Sequence, residues 1–297
     1  VLRVLQIGRT GQVATEFALA AGKAGMALTV LSRPELDLED PDAVRRVISA
    51  HEFDVLVNCA AYTAVDQAET DQDTAQRVNA DSVEAMGAAA AEQGAAIIHL
   101  STDYVFDGAA ERAYLETDAT APLGVYGRTK LDGERRLARV APRHVIVRTA
   151  WVYASHGKNF VKTMLRIGRE RDVLTIVDDQ HGSPTSAADI ASALVVIAAK
   201  VADVPQGAPD FGVFHFCGGG QTTWRGFADE IFAQARDWPY PTPEVRPINT
   251  EDFPTPAKRP ANSVLDTTLI QSVFGIEIRP WQQSLADVMS EFKKEQA

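Results

Sequence analysis

The chain has 297 residues, 45% hydrophobic and 23% charged, which suits one large α/β domain, alone or with a smaller lobe, and no sizeable disordered tail. Its formal net charge is -11 and it carries no Lys/Arg run, which argues against a nucleic-acid partner, since phosphate binding needs a basic face. No window reaches the roughly 18 consecutive apolar residues of a membrane span, and two cysteines in apolar runs, Cys59 and Cys217, lack metal spacing and fit a reducing, cytoplasmic setting.

The chain opens on an apolar strand, 1–7, without a leader pattern, so no signal peptide is expected. A helix over 12–24, a strand over 27–31 and a helix over 41–50 capped by Asp40 follow. Next come a strand over 55–59, a helix over 71–93, a strand over 95–100, a helix over 127–139 and a strand over 144–148. This alternation predicts an α/β fold with a Rossmann-type doubly wound parallel sheet. Beyond it the spacing predicts helices over 159–169, 187–200, 223–236, 266–274 and 282–294, strands over 174–177 and 213–216, and an extended proline-rich segment over 239–260. We expect a dinucleotide-binding domain over 1–150 plus part of 185–217. A discontinuous substrate lobe would come mainly from 151–184 and 218–297.

The first strand runs into Gly8-Arg9-Thr10-Gly11-Gln12-Val13-Ala14 and then a helix. Glycine lets backbone approach a pyrophosphate, and the helix N-terminus offers free N–H groups and partial positive charge. The spacing is Gly-x-x-Gly-x-x-Ala, with Gln6 where the usual fingerprint has its first glycine. Arg33, just past the second strand, favours a 2′-phosphate and hence NADPH, with NADH as the alternative. Small Ala60 and Ala61 after the third strand would let a cofactor pass close.

The fourth strand ends in Ser101-Thr102-Asp103-Tyr104, and a helix opens with Tyr126-Gly127-Arg128-Thr129-Lys130. Tyr126 and Lys130 share one helix face. A carbonyl reduced by hydride needs a proton, and an ammonium beside a phenol lowers its pKa enough for it to serve as acid. A Thr102 hydroxyl can hold the carbonyl oxygen. His99, inside an apolar strand, reads as a core residue.

These motifs resemble the extended short-chain dehydrogenase/reductase family. The blocks Asn58-Cys59-Ala60-Ala61-Tyr62-Thr63-Ala64-Val65-Asp66, Ser101 to Gly108, Arg148 to Tyr153, Asp179 to Thr185 and Arg259 to Ser263 narrow it to the dTDP-4-dehydrorhamnose reductases. That resemblance implies an NADPH- or NADH-dependent reduction of a nucleotide-sugar ketone. It makes Thr102, Tyr126 and Lys130 catalytic, with the last two also meeting the cofactor. It assigns cofactor contacts to Gly8, Thr10, Gln12, Val13, Asp37, Leu38, Ala60, Ala61, Tyr62 and Thr63, beside Gly11 from the loop argument. Asp103, Tyr104, Tyr126, Trp151 and Asn159 would meet the sugar, and Arg259 the pyrophosphate.

Ala14 and Tyr62 depart from the residues usual in that family. Members can hold a divalent metal between subunits. Glu16 is suitably placed, but Ala187 and Ala188 stand where an acidic partner would be needed, so no metal is expected. A homodimer remains open. Two other readings stand beside the reductase: an epimerase or dehydratase of the same fold, and a non-catalytic regulatory subunit like the partner of methionine adenosyltransferase. A dehydratase wants an acid after Asp103, where Tyr104 stands.

Overall fold

A computed structural model describes residues 1–239 and 242–295. Tyr240 and Pro241, within the predicted extended segment, lie outside the described residues. Six strands form one parallel sheet: β1 (Arg3–Ile7), β2 (Ala27–Leu31), β3 (Val55–Asn58), β4 (Ala96–Thr102), β5 (His144–Thr149) and, after a short β6 (Val173–Val177) elsewhere, β7 (Gly212–His215). Their order across the sheet is β7-β5-β4-β3-β1-β2. The order reverses between β1 and β3, so a crevice opens at their carboxyl ends, where the phosphate loop lies.

Strand side chains alternate between two apolar layers, as the period-2 geometry of a buried sheet requires. Val4, Val55, Val57, Ile98 and Val147 pack under α1 (Gln12–Lys23), α8 (Ala187–Val201) and α10 (Thr268–Phe274). Leu5, Leu56, Ile97 and Ile146 pack under α2 (Pro41–Ser49), α5 (Ser82–Glu92) and α6 (Val125–Val140). The doubly wound arrangement expected from the alternation is present.

A separate core joins α7 (Phe160–Gly168), α9 (Trp224–Gln234) and α11 (Trp281–Glu295), with Phe227, Ile231, Trp281 and Leu285 at its centre. Beside it β6 pairs in parallel with β8 (Glu244–Ile248), so part of the extended proline-rich segment is a strand.

The main departure from the sequence pattern is at 71–93. In place of one helix there are α3 (Val65–Ala68), α4 (Gln72–Gln76), a π-helical turn over Arg77–Asp81, and then α5. Hydrophobic periodicity cannot register the one-residue bulge. It turns Asn79, fully buried, toward the site. None of the helices among the described residues is long and apolar enough to cross a membrane.

Candidate active site

A cleft of about 780 Å³ lies over the crevice, lined by Gly8, Thr10, Gly11, Arg33, Leu38 and residues 60–63, among others. Gly8 has φ +99°, and a Cβ there would sit 3.2 Å from that of Ala60. Loop and strand end therefore meet with no room for larger side chains. Gly11 caps α1 without any side-chain hydrogen bond, so the first N–H groups of the helix are left for an anion. Gln6, the departure from the fingerprint, is fully buried. Its Nε2 donates to Gly8 O (2.7 Å) and Ala14 O (2.8 Å), tying loop to helix from beneath. These features fit a dinucleotide.

The other expected cofactor residues divide. Arg33 is in the cleft wall, but its guanidinium bonds Asp37 (3.1 Å) and Glu39 (2.6 Å). The Glu39 backbone N–H, with that pairing, holds the Asp37 carboxyl below the usual range. Val13 is buried in the core. Gln12 turns to the lobe, where its Oε1 accepts from Asn159 Nδ2 (2.8 Å). Sequence reasoning did not pick out Leu36, Glu39, Asp71 and Val78 in the same wall, since nothing in their spacing marks them.

Asn79 was also missed, although a buried amide in an apolar helix is itself a signal. Its Oδ1 accepts from Tyr62 N (2.9 Å), and its Nδ2 donates to Tyr62 O (3.1 Å) and Thr129 Oγ1 (3.1 Å). One side chain thus joins the cleft wall to α6. The Tyr62 hydroxyl donates to Asp71 (3.0 Å). Glu69 accepts from Val125 N (2.8 Å), capping α6 one residue before Tyr126.

Gly127 lets α6 press against the Tyr104 backbone, where a Cβ would overlap the carbonyl. The Tyr104 and Tyr126 rings meet edge-on at 5.7 Å. Thr102 Oγ1 accepts from Tyr104 N (3.2 Å) and donates to Asp103 Oδ1 (2.9 Å). Desolvation pushes Tyr126 up to about 12 against the opposing effect of Thr102. Asp103, fully enclosed, is pushed up to about 6 by burial, with the Thr102 and Ser263 hydroxyls pulling the other way.

Lys130 lies apart from the sequence expectation. It is buried, and its Nζ meets Leu100 O (2.6 Å) and His99 Nε2 (3.1 Å), with no hydrogen bond to the Tyr126 phenol. Burial pushes it down to about 8, opposed by Glu134. One-turn spacing shares a helix face, but here the aliphatic stem carries the amine past the phenol to the strand. His99 is a core residue, as expected, and is also hydrogen-bonded to the lysine.

Of the expected sugar contacts, Trp151 has φ +47° and stacks on Trp224 at 3.6 Å, with Gly182 also close to its indole. Trp224 donates to Gln180 Oε1 (3.1 Å). Arg259 pairs with Asp66 (2.9 Å) and lies 5.8 Å from the centre of the Tyr104 ring. Asn159 is tied to the protein itself: its amide bonds Gln12, Ala154 O, His156 O and Lys162 N, joining the lobe to the phosphate-loop helix.

A protein-family model described as RmlD substrate binding domain matches residues 2–294. The chain is 43% identical over 289 residues to a dTDP-4-dehydrorhamnose reductase of Aggregatibacter actinomycetemcomitans, covering 96% of this chain and 98% of that protein. A crystal structure of a dTDP-4-dehydrorhamnose reductase from Clostridium acetobutylicum is similar with a TM-score of 0.91 at 36% identity, covering 98% of this chain and 100% of that one. One from Bacillus anthracis in complex with NADP has a TM-score of 0.89 at 31% identity, covering 98% and 99%. The chain belongs to the RmlD family.

Proposed function

We propose that the chain reduces the C4 keto group of dTDP-4-dehydro-6-deoxy-L-mannose, giving dTDP-L-rhamnose, with NADPH as preferred cofactor and NADH as the alternative. Family membership supports the activity, and the observation that carries the chemistry is Tyr126, at the start of α6, packed edge-on against Tyr104 just past Thr102 at the end of β4. In this reading residues 1–150 with part of 185–217 hold the cofactor, and the lobe holds the sugar.

The cofactor, when bound, supplies the hydride. The chain supplies the rest. Gly8, Thr10 and Gly11 with the free α1 N-terminus receive the pyrophosphate, and residues 60–63 form the wall beside it. Tyr126 donates its proton to the oxygen of the reduced carbon. Thr102 orients that oxygen and stabilises the phenolate left behind. Lys130, as an ammonium, supports the same phenolate at longer range. Arg33 must exchange Asp37 and Glu39 for a 2′-phosphate. With NADH those carboxylates would instead be free to accept from ribose hydroxyls. Arg33→Ala is therefore expected to raise KM for NADPH by about tenfold, on the order of the 1.4 kcal/mol of one charge-assisted bond, with a smaller change for NADH.

The test is oxidation of NADPH by pure protein with dTDP-4-keto-L-rhamnose against other nucleotide sugars. Tyr126→Phe is expected to lower turnover by roughly 10²–10⁴-fold while NADPH still binds, as read by its fluorescence. Full turnover in that variant removes Tyr126 as the acid. A folded wild-type protein that binds NADPH yet oxidises none of it returns the chain to the regulatory reading.

A further inference from the structure

The lysine of the site is held by a hydrogen-bond chain whose direction can be read from one end. The Ala60 N–H can only donate, and it donates to Asn58 Oδ1 (3.0 Å). That fixes the amide, so Asn58 Nδ2 faces His99 Nδ1 at 2.9 Å as a donor. Nδ1 must then accept. A neutral imidazole that accepts at Nδ1 carries its hydrogen on Nε2. Burial keeps His99 neutral, pushing it well below its usual range. Nε2 therefore donates, and it faces Lys130 Nζ at 3.1 Å. An ammonium has three donors and no acceptor. Only the neutral amine completes the chain, donating in turn to Leu100 O.

We propose that His99, set by Asn58, is a positioning residue that holds Lys130 as a neutral, hydrogen-bond-accepting amine in the cofactor-free protein, so that protonation of Lys130 requires it to break from His99. This rests on the reading of Lys130 as support for Tyr126. Buried donor–donor contacts are costly, so the chain favours the neutral form of Lys130 beyond what desolvation alone does. The titratable groups around Lys130 are His99 from β4, Tyr126 and Glu134 from α6, and Asp103 near the phenol. Glu134 favours the ammonium, but Arg148 of β5 pairs with that carboxylate at 2.6 Å and moderates its field. The alkaline fall in reduction then follows Lys130, since the phenolate formed at Tyr126 needs the ammonium.

The test is the ¹⁵Nζ titration of Lys130 in lysine-labelled, cofactor-free protein, assigned by loss of the signal in Lys130→Met. Wild type is expected to titrate below about 8, the value that burial and Glu134 set without the His99 donor. His99→Phe keeps the apolar surroundings and removes the donor. Its midpoint should rise by about one unit, a tenfold stronger hold on the proton. Asn58→Asp offers acceptors to both Ala60 N–H and His99 Nδ1, which moves the ring hydrogen to Nδ1 and leaves Nε2 accepting from the ammonium. Its midpoint should rise further. In each variant the alkaline limb of kcat/KM for NADPH, which reports the free enzyme, should move with the midpoint. Equal midpoints in wild type and both variants overturn the proposal, as does a fall. Moved midpoints with an unmoved limb leave the hydrogen-bond chain standing and remove Lys130's support of Tyr126, so the two failures are distinct. A packing role alone would lower kcat at every pH without moving either.

Discussion

Asn79→Ala tests whether the π-helical turn has the role the structure gives it. The wild-type amide is fully buried and makes three hydrogen bonds, two to the Tyr62 backbone and one to Thr129. Each such bond contributes about 1 kcal/mol net, and a backbone group left dry and unpaired costs about 1–3 kcal/mol. The substitution should therefore destabilise the protein by about 3 kcal/mol, rising toward ~5 if no water enters. Urea unfolding followed by tryptophan fluorescence measures this directly. The same change frees the cleft wall at Tyr62 from α6, so KM for NADPH should rise while the Tyr126 chemistry keeps its pH dependence. Asn79→Asp should be no milder, because it keeps one acceptor, loses both donors and buries a charge. A loss below about 1 kcal/mol, with unchanged cofactor KM, would refute the idea that this amide holds wall and helix together.

Gly182→Ala should act on the sugar side alone. A Cβ there would come within 2.6 Å of Trp151 Cζ2 and Nε1, so the indole would have to shift against its stack on Trp224. Overpacking of this kind costs about 1–3 kcal/mol, and a displaced indole should lower kcat/KM for the nucleotide sugar by up to ~10²-fold. Wild-type kinetics in a folded variant would show that Trp151 does not meet the substrate. Asp103→Asn should change the pH dependence of stability. The Asp103 carboxyl is raised from 3.8 to about 6 in the folded state, so the native protein binds that proton more tightly than the unfolded chain. Its contribution is most favourable below about 3.8 and is lost as pH rises through about 6. The loss is at most about 3 kcal/mol for a group this buried. Relative to wild type, the Asp103→Asn variant should gain stability at about pH 7 and little at about pH 4. Parallel stability–pH curves would remove the raised carboxyl from the account.

The parallel sheet, both of its helical layers and the phosphate loop were legible because they follow from local pattern. Strand runs such as 55–59 and 95–100, and helices begun by Asp40 or Asn159, need no distant partner to be recognised. The site was legible wherever chemistry requires a residue type at an element's end, as at Gly8, Thr102 and Tyr126. What escaped depends on contacts distant in sequence. Asn79 lies 17 residues from Tyr62 and 50 from Thr129 and is aimed by a bulge that periodicity smooths away. Lys130 was read against its helical neighbour Tyr126, but its amine reaches across to β4. Gln12 and Asn159 were assigned to cofactor and sugar separately, yet 147 residues apart in sequence they bond each other.

That last contact makes the two halves of the cleft interdependent. Gln12 begins the phosphate-loop helix and Asn159 caps α7 of the lobe. One turn along α1, Glu16 meets His156 at 2.8 Å, and Gly157 lies against Gln12, where a Cβ would come within 3.0 Å. Across the cleft, Asp66 holds one guanidinium nitrogen of Arg259 and the Ala257 N–H. The other terminal nitrogen of Arg259, Nη1, is buried without a hydrogen-bond partner among the described residues. An unpaired buried donor is unfavourable until an acceptor arrives. In the proposed function that acceptor is the diphosphate of the nucleotide sugar, which would complete Arg259 while Asp66 keeps it aligned. In that reading substrate binding would draw on a group already desolvated and oriented, and would avoid most of the ordering cost that a free surface arginine imposes.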